Sequence, residues 1–158
     1  MLITPETVGP NLSGVLLLKI AAGLSFVAAI LHIAIIFGGP QWYRFFGAGE
    51  GMAKLAEMGS YQPAITTLII AAILFLWGLY GLSGAGVIPP LPLQKLALCT
   101  IAFIYVARGL AGFILPFITN HPAISQNSVT FWLVSSTVCT LFGVFYLLGT
   151  VKNWSTLG

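Results

Sequence analysis

Arg108 is the residue whose chemistry most needs an explanation. It lies within an apolar stretch from Gln94 to Phe117 that is long enough to cross a bilayer as a helix. A charge at the centre of such a helix costs about 2.5–3.5 kcal/mol on insertion scales, so it needs a partner, water or a ligand. A guanidinium stays charged at any relevant pH and donates two parallel hydrogen bonds, which suits carboxylates and phosphates.

Three kinds of group could neutralise Arg108. The first is internal: Glu50 or Glu57 folds in from a loop, or the carbonyls freed before Pro116 accept its hydrogen bonds. The second is a lipid-like or other anionic ligand, and the third is a carboxylate from a partner membrane subunit or a second copy in a homo-oligomer. The ligand hypothesis groups seven candidate residues: Arg108, His32, Glu50, Glu57, Thr67, Ser136 and Tyr105.

Metal and cofactor sites have little support in the sequence. The chain contains no H-x-x-H motif and no Asp, and Cys99 and Cys139 lie apart within apolar stretches as small buried residues. A haem held by His32 and His121 would need two histidines that differ in depth. We therefore predict no metal and no cofactor.

Catalysis is not favoured either. The acids Glu6, Glu50 and Glu57 all lie outside the apolar stretches, so a serine nucleophile would lack an orienting acid, and no G-x-S-x-G occurs. We expect a non-catalytic accessory or binding component. A small transporter or a membrane-embedded enzyme that uses the same polar region is the alternative.

The composition indicates an integral membrane protein. Of 158 residues, 58% are hydrophobic and 6% charged, with a mean hydropathy of +1.02, whereas about a quarter of the residues of a soluble domain are charged. The basic residues are dispersed, which argues against nucleic-acid binding. We treat residues 1–158 as one transmembrane domain.

Four apolar windows meet the length requirement for a transmembrane helix. They predict spans at about 14–37, 62–84, 94–117 and 129–151, and hence an all-α, polytopic four-helix bundle. Gly38, Gly39 and Pro40 are expected to end the first span because proline lacks an amide hydrogen.

The connection from Gly38 to Tyr61 differs from the other loops. It is expected to hold a short helix over Met52–Met58 and to lie at the membrane boundary. A lid over a site among the helices is the functional alternative. Its first part supplies an aromatic interfacial anchor with one cation: Trp42, Tyr43, Arg44, Phe45 and Phe46.

The polar residues of the spans are biased toward one end of the bundle. Spans one and three run in the same direction, so His32 and Arg108 belong to the half nearest the long loop. Thr67 and Ser136, near the starts of spans two and four, fall in that half too. This depth pattern predicts a shallow cavity that opens to the non-cytoplasmic side.

Lysine placement suggests the orientation. Lys19, Lys95 and Lys152 collect on the side of both termini, which the positive-inside rule places in the cytoplasm. The first residues carry Glu6 and no basic cluster, so we expect the first span to be retained and not cleaved as a signal peptide.

Three segments, in this order, stand out in the chain: His32 followed by Gly39–Glu50, then Gly78–Gly86, then Tyr105–Gly109. Together they resemble small four-span bacterial inner-membrane proteins of no known activity. The resemblance implies a bacterial cytoplasmic membrane and carries no activity across.

Overall fold

The structure, a computed structural model, describes residues 9–158 and is built from helices. Glu6 lies outside the described residues. Four of the helices are long and apolar enough to cross a membrane, as a multi-pass membrane protein requires, and the predicted four-helix bundle is confirmed. The helices are α1 (Leu12–Phe45), α2 (Glu50–Glu57), α3 (Gln62–Gly84), α4 (Gln94–Ile118), α5 (Pro122–Ser125) and α6 (Val129–Lys152).

Helix α1 contains the predicted break. Its backbone is non-helical at Gly39 (φ 67°, ψ −154°), immediately before Pro40, and helical geometry resumes to Phe45. A positive φ is adopted readily only by glycine, and proline fits the first turn of the segment that follows. The chain therefore changes direction at the end of the first span, and the aromatic segment forms a separate short piece of helix.

The helix starts follow local sequence signals. The Asn11 side chain accepts hydrogen bonds from the amides of Ser13 and Gly14, and the Ser128 hydroxyl accepts one from the amide of Phe131. These side chains satisfy amides that have no partner within the helix. They fix where α1 and α6 begin.

The four long helices pack as a ring. Helix α1 packs against α3 and α6, and α4 packs mainly against α6, whereas α3 and α4 share the fewest contacts of these neighbouring pairs. At the α4–α6 interface, Gly109 and Gly112 face Thr140 and Ser136. Small residues let helices approach closely where burial of apolar surface gives no driving force. The α3–α4 side is the loosest side of the ring.

A hydroxyl network lies in the middle of the bundle. The Tyr146 hydroxyl donates to the carbonyl of Trp77 at 2.9 Å, and it lies 2.9 Å from the Ser25 hydroxyl. Ser25 and Tyr146 are fully buried. Because the single Tyr146 proton goes to Trp77, Ser25 donates to Tyr146, and this bonded chain joins α1, α3 and α6.

The outer surface is apolar, as expected for side chains that face lipid. Large hydrophobic residues are exposed along every long helix, among them Val27, Ile65, Phe103 and Val138. The end of the bundle that carries residues 46–61 and 119–128 is called the loop end below. It holds the candidate site.

Candidate functional site

Arg108 extends from α4 into the space at the loop end. Its guanidinium carbon lies 4.7 Å from the centroid of the Trp132 ring, and Nη2 reaches the Ser135 hydroxyl at the long distance of 3.5 Å. Trp132 is three residues after the start of α6, so the charge lies within the first turn or two of that helix. The long side chain thus carries the charge toward the membrane boundary, as amphipathic side chains commonly do.

The guanidinium is only partly satisfied. Its Nη1 atom is buried and has no hydrogen-bond partner among residues 9–158. The neighbouring hydroxyl of Ser136, also fully buried, lacks a partner in the same part of the chain. Both atoms border Gly112, since a Cβ at that position would meet each of them. Unpaired buried donors are costly, so this pair marks a place where a further acceptor would be stabilising.

A cavity of about 460 Å³ lies beside the Arg108 guanidinium. All four long helices and the two loops at this end contribute to it, and Arg108 is the single lysine or arginine in its wall among residues 9–158. The polar lining comes from His32, Thr66, Thr67, Gln126 and Asn127, and the apolar lining includes Ile35, Phe46, Met52, Ile70, Phe131 and Trp132. The volume lies within the range of about 300–1,000 Å³ that is usual for small-molecule sites.

Helix α2 covers part of the cavity and is held by a double ion pair. Arg44, at the end of α1, donates from Nε and Nη2 to Glu50 at 2.7 and 2.9 Å, and from Nη1 to Glu57 at 2.8 Å. Glu50 and Glu57 are the first and last residues of α2. The hydrogen bonds from Arg44 hold the pKa of Glu50 below its ordinary value. One guanidinium therefore fastens both ends of α2.

The loop before α2 is fitted against the loop before α6. The Asn127 amide donates to the carbonyl of Gly47 at 3.1 Å. Gly49 has a φ of 92°, and a Cβ there would collide with the Gln126 side chain. Glycine is needed at this position for both conformation and space. Together the two loops form the wall of the cavity at the loop end.

The sequence hypothesis that Glu50 or Glu57 neutralises Arg108 is wrong for this structure. Both carboxylates bind Arg44, which is exposed and lies close to α2 in the chain. The carbonyls before Pro116 do not replace them, since the hydrogen bond that Arg108 makes within residues 9–158 goes to Ser135. Neither internal explanation accounts for the charge.

Tyr105 does not lie at the Arg108 cavity, where the ligand hypothesis expects it. Its ring packs edge-on against Trp77 and Phe142 and lies parallel to Tyr146. It is buried in the core and does not line the cavity. Three residues separate Tyr105 from Arg108, and this step along a helix moves a side chain one turn deeper and about 60° around the axis. The tyrosine therefore faces the bundle interior.

The other candidates lie close to Arg108. Thr67 and His32 line the same cavity, and Ser136 lies behind it at Gly112. The His32 ring contacts the carbonyl of Ala28 through Nδ1 at 2.7 Å, so its Nε2 is the nitrogen left for other contacts. The structure thus brings together four of the seven residues named from the sequence.

The aromatic anchor is divided between two environments. Trp42, Arg44 and Phe45 are exposed, as an interfacial segment would be, whereas Tyr43 is buried and lines the cavity. Phe46 also lines it. Successive residues of a helix point in different directions, so one short segment both meets the surroundings and forms a wall of the site.

The described residues offer no cluster of side chains that could bind a metal ion. Within residues 9–158, no group of three or more His, Cys, Asp or Glu side chains could hold an ion. His121 lies in the exposed loop before α5, where its Nδ1 accepts from the amide of Ala123, and it is not part of the cavity wall. His32 and His121 therefore do not share a site.

Sequence reasoning missed Trp132 and the two amides, Gln126 and Asn127. Their position at the loop end, where the polar ends of the other spans converge, was the available signal. The contact of Trp132 with Arg108 depends on how α6 rotates against α4, which spacing does not give.

Comparisons with protein-family models, with curated proteins and with solved structures found no match for this chain. The site therefore has to be interpreted from its own geometry.

Proposed function

We propose that this protein is a non-catalytic membrane component that binds a lipid-like or other anionic ligand at Arg108. The observation that carries the proposal is the buried, unpartnered Nη1 of a guanidinium that borders a cavity. An incoming phosphate or carboxylate oxygen would accept from Nη2, whose bond to Ser135 is long, and a rotation of the guanidinium away from Gly112 would bring Nη1 to a second oxygen in the paired geometry that arginine favours. Binding would also satisfy a charge that is expensive to leave alone in an apolar setting.

The stacking of Arg108 on Trp132 supports this role. A guanidinium above an aromatic ring keeps its N–H groups in the plane of the guanidinium, pointing away from the ring. The ring thus stabilises the charge while the hydrogen bonds stay available. Gln126, Asn127 and Thr67 add neutral donors and acceptors around the same space.

The proposal includes the orientation of the protein in the membrane. We infer that the termini lie in the cytoplasm of a bacterial cell and that the loop end faces the opposite side of its cytoplasmic membrane, as the lysine distribution predicts. The ligand would then be taken up from the non-cytoplasmic half of the bilayer or from the solution beyond it.

The chain contains only two arginines, Arg44 and Arg108, and this gives a direct test. Protein labelled with ¹⁵N-arginine and reconstituted in phosphatidylcholine nanodiscs yields two Nε resonances, which Arg44→Lys assigns. Two probes are then added in turn: phosphatidylglycerol within the discs, and dimethyl phosphate in the buffer. We expect at least one probe to shift the Arg108 resonance and to leave that of Arg44 in place.

Matched variants complete the test. Arg108→Gln should abolish binding of the effective probe, and Arg108→Lys should weaken it because an ammonium lacks the paired geometry. Lys95→Gln removes a cation at the opposite end of the bundle, outside the cavity wall, and should retain binding. An Arg108 resonance that neither probe shifts, in folded protein, would contradict the proposal.

A further inference from the structure

The loose side of the helix ring continues below the Arg108 cavity. A second depression of about 240 Å³ lies between α3 and α4, and we call it the α3–α4 furrow. It is lined by Leu76, Trp77, Tyr80, Leu93, Leu96, Ala97, Thr100 and Ile101. These two helices share the fewest contacts of the neighbouring pairs, so the furrow lies where the bundle packs least closely.

The furrow and the cavity are aligned along the bundle. Ile101 lines the furrow and Arg108 the cavity, two helical turns apart on α4, which corresponds to about 10 Å. On α3, Ile70 lines the cavity and Trp77 lines the furrow, with the same separation of seven residues. Because α3 and α4 run in opposite directions, the residue order is reversed. An extended molecule could therefore reach from one to the other along the lipid-facing side of α3 and α4, outside the contact between Trp77 and Tyr105.

The two depressions differ in chemistry. The furrow wall is apolar apart from Thr100 and Tyr80, and the Tyr80 hydroxyl already donates to the carbonyl of Pro92 at 3.1 Å. The cavity holds one fixed positive charge and neutral polar groups. One end of a complementary ligand would be a single anion with hydrogen-bonding groups, and the other end would be hydrocarbon.

The α3 side of the cavity is accessible from the surroundings of the bundle. Thr66 and Ile70 line the cavity and are exposed, and they lie about 6 and 12 Å along α3 from its start at Gln62. They therefore lie within the apolar part of the helix, below the loops. A membrane lipid could move its headgroup past these residues without leaving the bilayer.

Resting on the proposed function, we propose that the ligand of Arg108 is a membrane lipid with one negative charge on its headgroup and that one acyl chain lies in the α3–α4 furrow. The phosphate or carboxylate binds the Arg108 guanidinium. The polar remainder of the headgroup contacts Thr67, Gln126 and Asn127. The lipid reaches the site sideways, between α3 and α4.

Photo-crosslinking in nanodiscs tests the path of the chain. The probes are phosphatidylglycerol and phosphatidylcholine with the same diazirine-bearing acyl chain, each used as a minor component of unlabelled phosphatidylcholine. Peptide mapping should show phosphatidylglycerol adducts enriched over phosphatidylcholine adducts at furrow residues such as Trp77 and Ala97. The enrichment should disappear in Arg108→Gln, since the headgroup is no longer held.

A second variant probes the furrow without touching the arginine. Ala97→Phe would occupy space in the furrow and should remove most of the enriched adducts there, whereas Leu110→Phe, on an exposed part of α4 outside both depressions, should not. Folding of each variant is checked by helical circular dichroism and by the two arginine resonances.

The outcomes separate the two proposals. If dimethyl phosphate shifts the Arg108 resonance as strongly as phosphatidylglycerol does, and the adducts show no headgroup preference, the lipid inference is overturned while anion binding stands. If phosphatidylglycerol shifts the resonance but its adducts lie away from the furrow, the acyl-chain placement is overturned. If neither probe shifts the resonance, the proposed function fails and the lipid inference fails with it.

Discussion

The Arg108 guanidinium stacks on Trp132, 4.7 Å from the ring centroid, and the indole nitrogen of Trp132 donates to the carbonyl of Ile124 at 2.9 Å. The hydrogen bond fixes the ring from the loop side, and the ring in turn fixes the cation. The loop between α4 and α6 thereby helps to place a charge that belongs to α4. A partner that changed this loop would also move the charge.

Trp132→Ala should destabilise the protein markedly. Trp132 is 9% exposed, so its loss leaves a cavity as well as an unstacked guanidinium, and we expect a loss of about 3–5 kcal/mol in unfolding free energy. Denaturation by sodium dodecyl sulfate in mixed micelles measures it. Trp154→Ala is the control, since Trp154 is 49% exposed and stacks with Lys95 at the surface. Equal losses for the two variants would contradict a buried stacking role.

Gly112→Ala should displace the Arg108 guanidinium. The added methyl group would meet the Ser136 hydroxyl and Arg108 Nη1, and we expect a cost of about 1–3 kcal/mol from overpacking. The ¹⁵N Nε resonance of Arg108 should move while that of Arg44 stays. Gly51→Ala, in α2 with nothing near the new methyl group, should leave both resonances in place and keep or raise stability. An unmoved Arg108 signal in Gly112→Ala would show that the interface adapts elsewhere.

The ion pair between Arg44 and Glu50 should break in acid. Hydrogen bonds from Arg44 hold the pKa of Glu50 below its ordinary value of 4.5. A carboxylate with a lowered folded-state pKa adds stability above its unfolded pKa and loses that contribution as pH falls through the folded pKa. We therefore expect the Arg44 Nε resonance to be constant from neutral pH down to about 5 and to shift only below 4.5. Glu50→Gln should remove most of this transition; an unchanged titration would contradict the assignment to Glu50.

Tyr146→Phe should weaken the core without affecting the site. The variant loses the hydrogen bond to the Trp77 carbonyl and leaves Ser25 without its acceptor. We expect a cost of about 1–3 kcal/mol in unfolding free energy because the orphaned groups are buried. Tyr80→Phe, which loses one hydrogen bond to Pro92 in an exposed setting, should cost less. A smaller effect at Tyr146 than at Tyr80 would contradict the importance of the network.

Much of the fold could be predicted from sequence because membrane spans follow length and apolarity, which are local properties. The break at Gly39 and Pro40 could be predicted for the same reason, since each residue restricts its own backbone. The start of α6 followed from the side chain of Ser128. These features depend on a few neighbouring residues.

The site was only partly predictable because it depends on how helices rotate against one another. The depth of Arg108, His32 and Thr67 could be counted along each span, and these residues do meet at one cavity. Residue spacing does not show which carboxylate pairs with which arginine. Two arginines and two loop carboxylates allow several pairings, and the fold of α2 onto the end of α1 decides between them.

The pairing of Arg44 with both loop carboxylates also leaves the charge of Arg108 without a carboxylate partner among the described residues. With Glu50 and Glu57 committed outside the cavity wall, the interior keeps an uncompensated positive potential. Divalent ions, polyamines and cationic detergents would meet electrostatic repulsion there. If Arg108 binds an anion as proposed, selectivity against positively charged molecules would originate in an ion pair that lies outside the cavity wall.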